Sequence, residues 1–91
     1  MHIPIVLELG RRIWSINNKR HRVSGPAISW TNGDKEYWQN NHIHRINGPA
    51  IIYANATTEY WQYGQKHRID GPAVCYSNGN VEYWIDGKRI R

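Results

Sequence analysis

The sequence predicts an all-β fold: a single-layer, twisted antiparallel meander of tandem β-hairpins. Two observations carry the prediction. The first is a strict internal period. Gly-Pro-Ala falls at Gly25-Pro26-Ala27, Gly48-Pro49-Ala50 and Gly71-Pro72-Ala73, a step of 23 residues. His-Arg precedes it at His21-Arg22, His44-Arg45 and His67-Arg68, and Glu-Tyr-Trp follows at Glu36-Tyr37-Trp38, Glu59-Tyr60-Trp61 and Glu82-Tyr83-Trp84. Self-similarity at such a period is the signature of a stacked array. The second is local: each period holds short runs rich in β-branched and aromatic residues, separated by turn formers.

After each Gly-Pro, the runs Ala-Ile-Ser-Trp, Ala-Ile-Ile-Tyr and Ala-Val-Cys-Tyr read as strand. Pro26, Pro49 and Pro72 lack an amide donor and so belong at a strand's beginning. Asn32-Gly33 and Asn78-Gly79 mark tight reversals, because both residue types accept positive φ. Asn55-Ala56-Thr57 weakens that signal, so a looser turn is expected there. Glu-Tyr-Trp opens the returning strand. A further reversal follows at Asn17-Asn18, Asn40-Asn41, Gly64 and Asp86-Gly87, and then comes the His-Arg loop.

Trp14 reads as the first of the Trp series, 24 residues before Trp38, with one extra residue absorbed by a turn. The resulting division is an N-terminal strand or cap over 1–12, repeats over 13–36, 37–59 and 60–82, and a C-terminal cap over 83–91, where Ile90 stands in place of His. Strand alternation puts Ile28, Ile51 and Val74 on one face with Trp30, Tyr53 and Tyr76. In the returning strand Glu36, Glu59 and Glu82 share a face with Trp38, Trp61 and Trp84, opposite Tyr37, Tyr60 and Tyr83.

Composition fits an exposed sheet better than a closed core. The 91 residues include five Trp and six Tyr but no Phe and a single Met. Such rings combine apolar bulk with a polar handle that can face water. The one cysteine, Cys75, has no intramolecular disulfide partner, so the fold needs no oxidising compartment and a cytoplasmic location is expected. Met1 to Leu9 is apolar but short, interrupted by Pro4 and Glu8, and reads as neither a signal peptide nor a membrane span.

The pattern Tyr-Trp-x-x-Gly-x-x-His-x-x-x-Gly-x-x-x-x-x-x-Asn-Gly, seen from Tyr60 to Gly79 with His67, Gly71 and Asn78-Gly79, resembles the MORN repeat. The resemblance covers residues 13 to 91. It implies hairpin units of similar length stacked into an elongated twisted sheet. The chain departs from the common pattern by placing Arg after the His and Pro-Ala after the Gly, a variant similar to short repeat proteins of bacteria, phages and large viruses. The resemblance implies a scaffold with protein partners or lipid head groups, and carries no catalytic residues to this chain. Small size and phage-like style suggest an inhibitor of a host defence complex, of the anti-CRISPR kind, acting in the host cytoplasm.

The chemistry-bearing residues agree with binding rather than catalysis. Equivalent histidines of neighbouring repeats lie two strand spacings apart, roughly 9.5 Å. Metal ligands must converge within about 2.1 Å of one ion, so no metal and no cofactor is expected. An active site needs a nucleophile, a base and stabilising donors at one place, whereas repetition distributes each residue type over every unit, so no enzyme activity is expected. Arg22, Arg45 and Arg68 suit carboxylate or phosphate recognition, although pairing with Glu36, Glu59 and Glu82 offers them a structural role.

The formal net charge of +5 favours acidic or phosphate-bearing partners. Functional candidates are the basic N-terminal residues Arg11, Arg12, Lys19, Arg20 and Arg22; Trp30, which replaces Tyr; His42; Arg45 and Arg68; and Lys88 and Arg89 near the chain end. The expected partner is a protein. A nucleic acid or phosphate ligand held by basic loops and aromatics, a membrane-surface or structural role, and homodimerisation through an open edge strand are the alternatives.

Overall fold

In a computed structural model, residues 5–8 and 10–91 are described. Among the described residues there are fifteen short strands and no helix, so among them no helix is long and apolar enough to cross a membrane. The strands are β1 (Ile5–Glu8), β2 (Arg11–Ile16), β3 (Lys19–Arg20), β4 (Ile28–Trp30), β5 (Lys35–Glu36), β6 (Trp38–Gln39), β7 (His42–Ile43), β8 (Ile51–Ile52), β9 (Thr58–Glu59), β10 (Trp61–Gln62), β11 (Gln65–Lys66), β12 (Val74–Cys75), β13 (Val81–Glu82), β14 (Trp84–Ile85) and β15 (Lys88–Arg89). Residues 1–4 and 9, assigned from sequence to the N-terminal cap, lie outside the described residues.

All pairings are antiparallel. One sheet runs in the order β1-β2-β4-β5-β8-β9-β12-β13, with β3 attached to β2, and three two-stranded hairpins, β6-β7, β10-β11 and β14-β15, stand beside it. The meander is thus divided rather than continuous: the returning strands are interrupted at Tyr37, Tyr60 and Tyr83, each between two strands. The hairpins follow one another through backbone bonds. Asn41 N donates to Arg20 O, Gly64 N to Ile43 O and Gly87 N to Lys66 O, each at 2.9 Å.

The register sets Ile13, Ile28, Glu36, Ile51, Glu59, Val74 and Glu82 in one line across the main sheet. Ile28 and Val74 are its largest fully buried side chains. Ala27, Ala50 and Ala73 are 0 % exposed, which accounts for alanine after each Gly-Pro: a larger side chain would have to displace close-packed neighbours.

Two turn types alternate. Asn17-Asn18, Asn40-Asn41, Tyr63-Gly64 and Asp86-Gly87 all have positive φ at both positions, the geometry of type I′ hairpin turns. The other turns are three-residue loops whose last member has positive φ: Gly33 at 103°, Ala56 at 78° and Gly79 at 95°. The Asn55 turn is not looser than its counterparts. Ala56 N donates to Tyr53 O and Tyr53 N to Thr57 O, both at 2.9 Å, as Gly79 and Tyr76 do in theirs. The shared device is the Asn side chain, whose Oδ1 accepts from the backbone N–H two residues on at Asp34, Thr57 and Asn80, each 2.9 Å.

Backbone bonds also correct the alignment of Trp14. Trp14 N donates to Ala27 O at 2.7 Å, as Tyr37 N does to Ala50 O and Tyr60 N to Ala73 O. Trp14 is therefore the counterpart of Tyr37, 23 residues earlier, and Ser15 that of Trp38. No inserted residue is needed.

Candidate functional site

Each of the recurrent polar residues has a defined partner. Glu36 accepts from Trp30 Nε1 and Trp38 Nε1, both at 2.9 Å. Glu59 accepts from Trp61 Nε1 at 2.8 Å and Tyr53 Oη at 3.3 Å, and Glu82 from Trp84 Nε1 at 2.8 Å and Tyr76 Oη at 2.7 Å. These carboxylates fasten the aromatic rings of two strands together. The bonds from Tyr76 and Trp84 hold the Glu82 carboxyl below its ordinary pKa, while burial, reinforced by the Glu59 charge, pushes the Tyr53 hydroxyl up to about 12.

The expected Glu–Arg pairing does not form. Instead the guanidinium of Arg22 lies 4.2 Å over the Trp14 ring, Arg45 3.9 Å over Tyr37 and Arg68 4.0 Å over Tyr60. Arg91 stacks in the same way on Tyr83 at 4.4 Å. Face alternation explains the difference, because the Tyr residues point away from the Glu face. Each of the three loop arginines also donates Nη1 to the carbonyl of the proline four residues on, at 3.3, 3.1 and 3.1 Å. The recurrent glycine completes the stack. A Cβ on Gly48 would lie 3.1 Å from Arg45 Cζ, with similar approaches at Gly25 and Gly71.

The histidines have a structural task. His21 Nδ1 accepts from Asn40 N, His44 Nδ1 from Tyr63 N and His67 Nδ1 from Asp86 N, all at 3.0 Å. Each thereby anchors the next type I′ turn. His44 is 5 % exposed, and burial together with the nearby His42 lowers its pKa. Its ring also packs at 4.4 Å against that of Tyr63, a bulky residue held at φ 52° in the turn and largely exposed. Among the described residues no three of His, Cys, Asp and Glu cluster as a metal site.

The sequence candidates fall into separate groups. Arg11 pairs across strands with Trp30 and lies 5.0 Å over its ring, while Arg12 is exposed on the opposite face. Arg20 covers Trp38 at 5.1 Å, and Lys66 reaches Trp84 at 4.6 Å and Trp61 at 5.8 Å. Lys19 is exposed; so is His42, whose Nδ1 is 3.0 Å from Asn40 O. Lys88 and Arg89 form the last strand, with Arg89 Nη1 3.8 Å from Glu82.

What the fold brings together is a row of open clefts along the His-Arg loops. Trp14, Arg22 and Val23 help line the first, of about 160 Å³. The second, of about 330 Å³, lies between Arg22 and Arg45 and includes Tyr37, Gln39 and Ile46; the third, of about 390 Å³, includes Ile46, Tyr60, Gln62 and Arg68. Along this row stand Val23, Ile46 and Ile69, which are 81 %, 64 % and 79 % exposed. Sequence reasoning passed over these three. The available signal was an aliphatic residue at the same point of every His-Arg-x-x-Gly loop, where no strand alternation buries it. Comparison with family models, curated proteins and solved structures finds no match to the chain.

Proposed function

We propose that the chain is a non-enzymatic, MORN-like repeat scaffold that binds a protein partner along the row of His-Arg loops. The observation that carries this reading is the exposed series Val23, Ile46 and Ile69 beside the clefts. A single exposed aliphatic residue needs no explanation, but an apolar row rimmed by polar groups is the mark of an interaction surface. Arginine and tyrosine, the residue types enriched among binding hot spots, line the same clefts. Glu36, Glu59 and Glu82, the histidines His21, His44 and His67, and the loop glycines Gly25, Gly48 and Gly71 are committed to internal contacts, so they supply rigidity rather than chemistry.

The experiment is affinity capture from cells that naturally express the protein, comparing wild type with the triple variant Val23→Ser, Ile46→Ser, Ile69→Ser. A discrete protein retained by wild type and lost by a folded variant supports the reading. Identical recovery by both counts against it.

Nucleic-acid binding is a second reading, favoured by the alternation of Trp38, Trp61 and Trp84 with Arg20 and Lys66. Here, however, the cations already lie over the rings and the indole N–H groups are bonded to glutamates, leaving less stacking surface for a base. Oligonucleotide binding that falls steeply with added salt would favour this reading.

A further inference from the structure

The loop arginines have bonding capacity left over. Among the described residues, Arg22, Arg45 and Arg68 each place Nη1 on a proline carbonyl and one face of the guanidinium on an aromatic neighbour, and Nη2 has no hydrogen-bond partner. All three line the clefts. The stack of ring and glycine fixes each guanidinium, so a carboxylate meets a preorganised donor. The only carboxylate lining these clefts, among the described residues, is Asp70.

The spacing of these donors selects a ligand conformation. Successive His-Arg loops are joined across β3 to β6 and β7 to β10, with Arg22 N bonded to Trp38 O and Arg45 N to Trp61 O, so neighbouring arginines are two strand spacings apart, roughly 9.5 Å. In an extended strand, residues on one face repeat about every 6.6 Å. An α-helix returns to the same face after one turn of about 5.4 Å or two of about 10.8 Å. A polyproline II helix has three residues per turn and rises about 3.1 Å per residue, so every third side chain recurs after about 9.3 Å. Of these, the polyproline II repeat comes nearest to the two-strand spacing of the arginine row.

Resting on the scaffold reading above, we propose that the partner segment is a proline-rich polyproline II peptide carrying an acidic side chain at every third position. Its carboxylates meet Arg22, Arg45 and Arg68. Its intervening prolines lie against Val23, Ile46 and Ile69 and the Tyr37 and Tyr60 rims of the clefts. Aromatic-rimmed grooves are the usual surface for such helices, whose preformed conformation limits the entropy lost on binding.

The test is titration of the intact protein with a peptide of five tandem Pro-Pro-Glu triplets, against a block peptide of the same composition with all prolines preceding all glutamates. The triplet peptide is expected to bind about tenfold more tightly, and less tightly as salt rises. Arg45→Gln with Arg68→Gln should weaken it at least tenfold, the scale of one charge-assisted hydrogen bond. Because those substitutions disturb the stacks, the exposed variants Ile46→Glu and Ile69→Glu provide an independent check. They should weaken binding by like-charge repulsion while leaving the circular dichroism unchanged.

Equal binding of the two peptides, or none at low salt, overturns the inference. So does tight binding of single-stranded oligothymidylate that is lost in the same variants when the triplet peptide does not bind. A cellular partner that depends on Val23, Ile46 and Ile69 but is not displaced by the triplet peptide leaves the scaffold reading standing and removes this one.

Discussion

Glu36 and Trp38, two residues apart on one face of the chain, are joined from Oε1 to Nε1 at 2.9 Å, and the second oxygen of the same carboxylate holds Trp30. One side chain thus ties two strands by their largest residues. Charge-assisted hydrogen bonds contribute about 1.5–3 kcal/mol each. Glu36→Ala, which leaves two indole donors without their acceptor, is expected to cost about 2–3 kcal/mol in a urea unfolding experiment. Glu36→Gln should cost less, because the amide oxygen still serves one indole.

Ala56 occupies a left-handed conformation at φ 78° while exposed to solvent. That conformation costs an L-residue about 1–2 kcal/mol, partly offset in glycine by the larger entropy of its unfolded state. Ala56→Gly should therefore raise stability by about 0.5–1 kcal/mol, seen as a higher urea midpoint with unchanged slope. A drop in midpoint would show that the turn is not held as described.

Gly48 is needed for clearance rather than for backbone freedom. Its Cβ would meet a guanidinium already held against Tyr37 at 3.9 Å. Gly48→Ala is expected to destabilise by about 1–3 kcal/mol, the usual cost of overpacking. Adding Arg45→Gln should recover part of the loss, and a double-mutant cycle measures the coupling.

His44 gives the fold a pH dependence. Its pKa in the folded state is lowered by burial and by His42, so between the folded and unfolded values the unfolded chain binds more protons. Stability should then rise with pH through that range, and fall as pH drops below about 6.5, the unfolded value. Melting temperature should decline between pH 7 and 5. His44→Asn, which offers an oxygen acceptor to Tyr63 N without titrating in this range, should flatten that decline.

Much of the architecture was legible because its determinants are local. Proline marks strand starts, Asn-Gly and Asn-Asn mark turns, and alternation places Glu36 with Trp38. The Glu–Arg pairing failed because opposite charge was weighed above facing: a two-sided sheet keeps Glu59 with Trp61 on one side and Arg68 with Tyr60 on the other. Residue identity aligns Trp14 with Trp38, whereas the 23-residue step and the bond from Trp14 N to Ala27 O align it with Tyr37. The Asn55 turn looked weak for want of glycine, whereas the Asn55 side-chain bond to Thr57 N and the positive φ of Ala56 preserve it. The clefts were not legible, since they arise between loops that are brought together only by the stacking of β3 on β6 and β7 on β10.

The central claim is that the row of His-Arg loops is the binding surface, and hydrogen exchange on the protein with and without its captured partner tests it most directly. Protection on binding should concentrate in residues 21–25, 44–48 and 67–71, with little change in the turns around Gly33, Ala56 and Gly79. Protection confined to those turns, or to the strands carrying Trp38, Trp61 and Trp84, would contradict it.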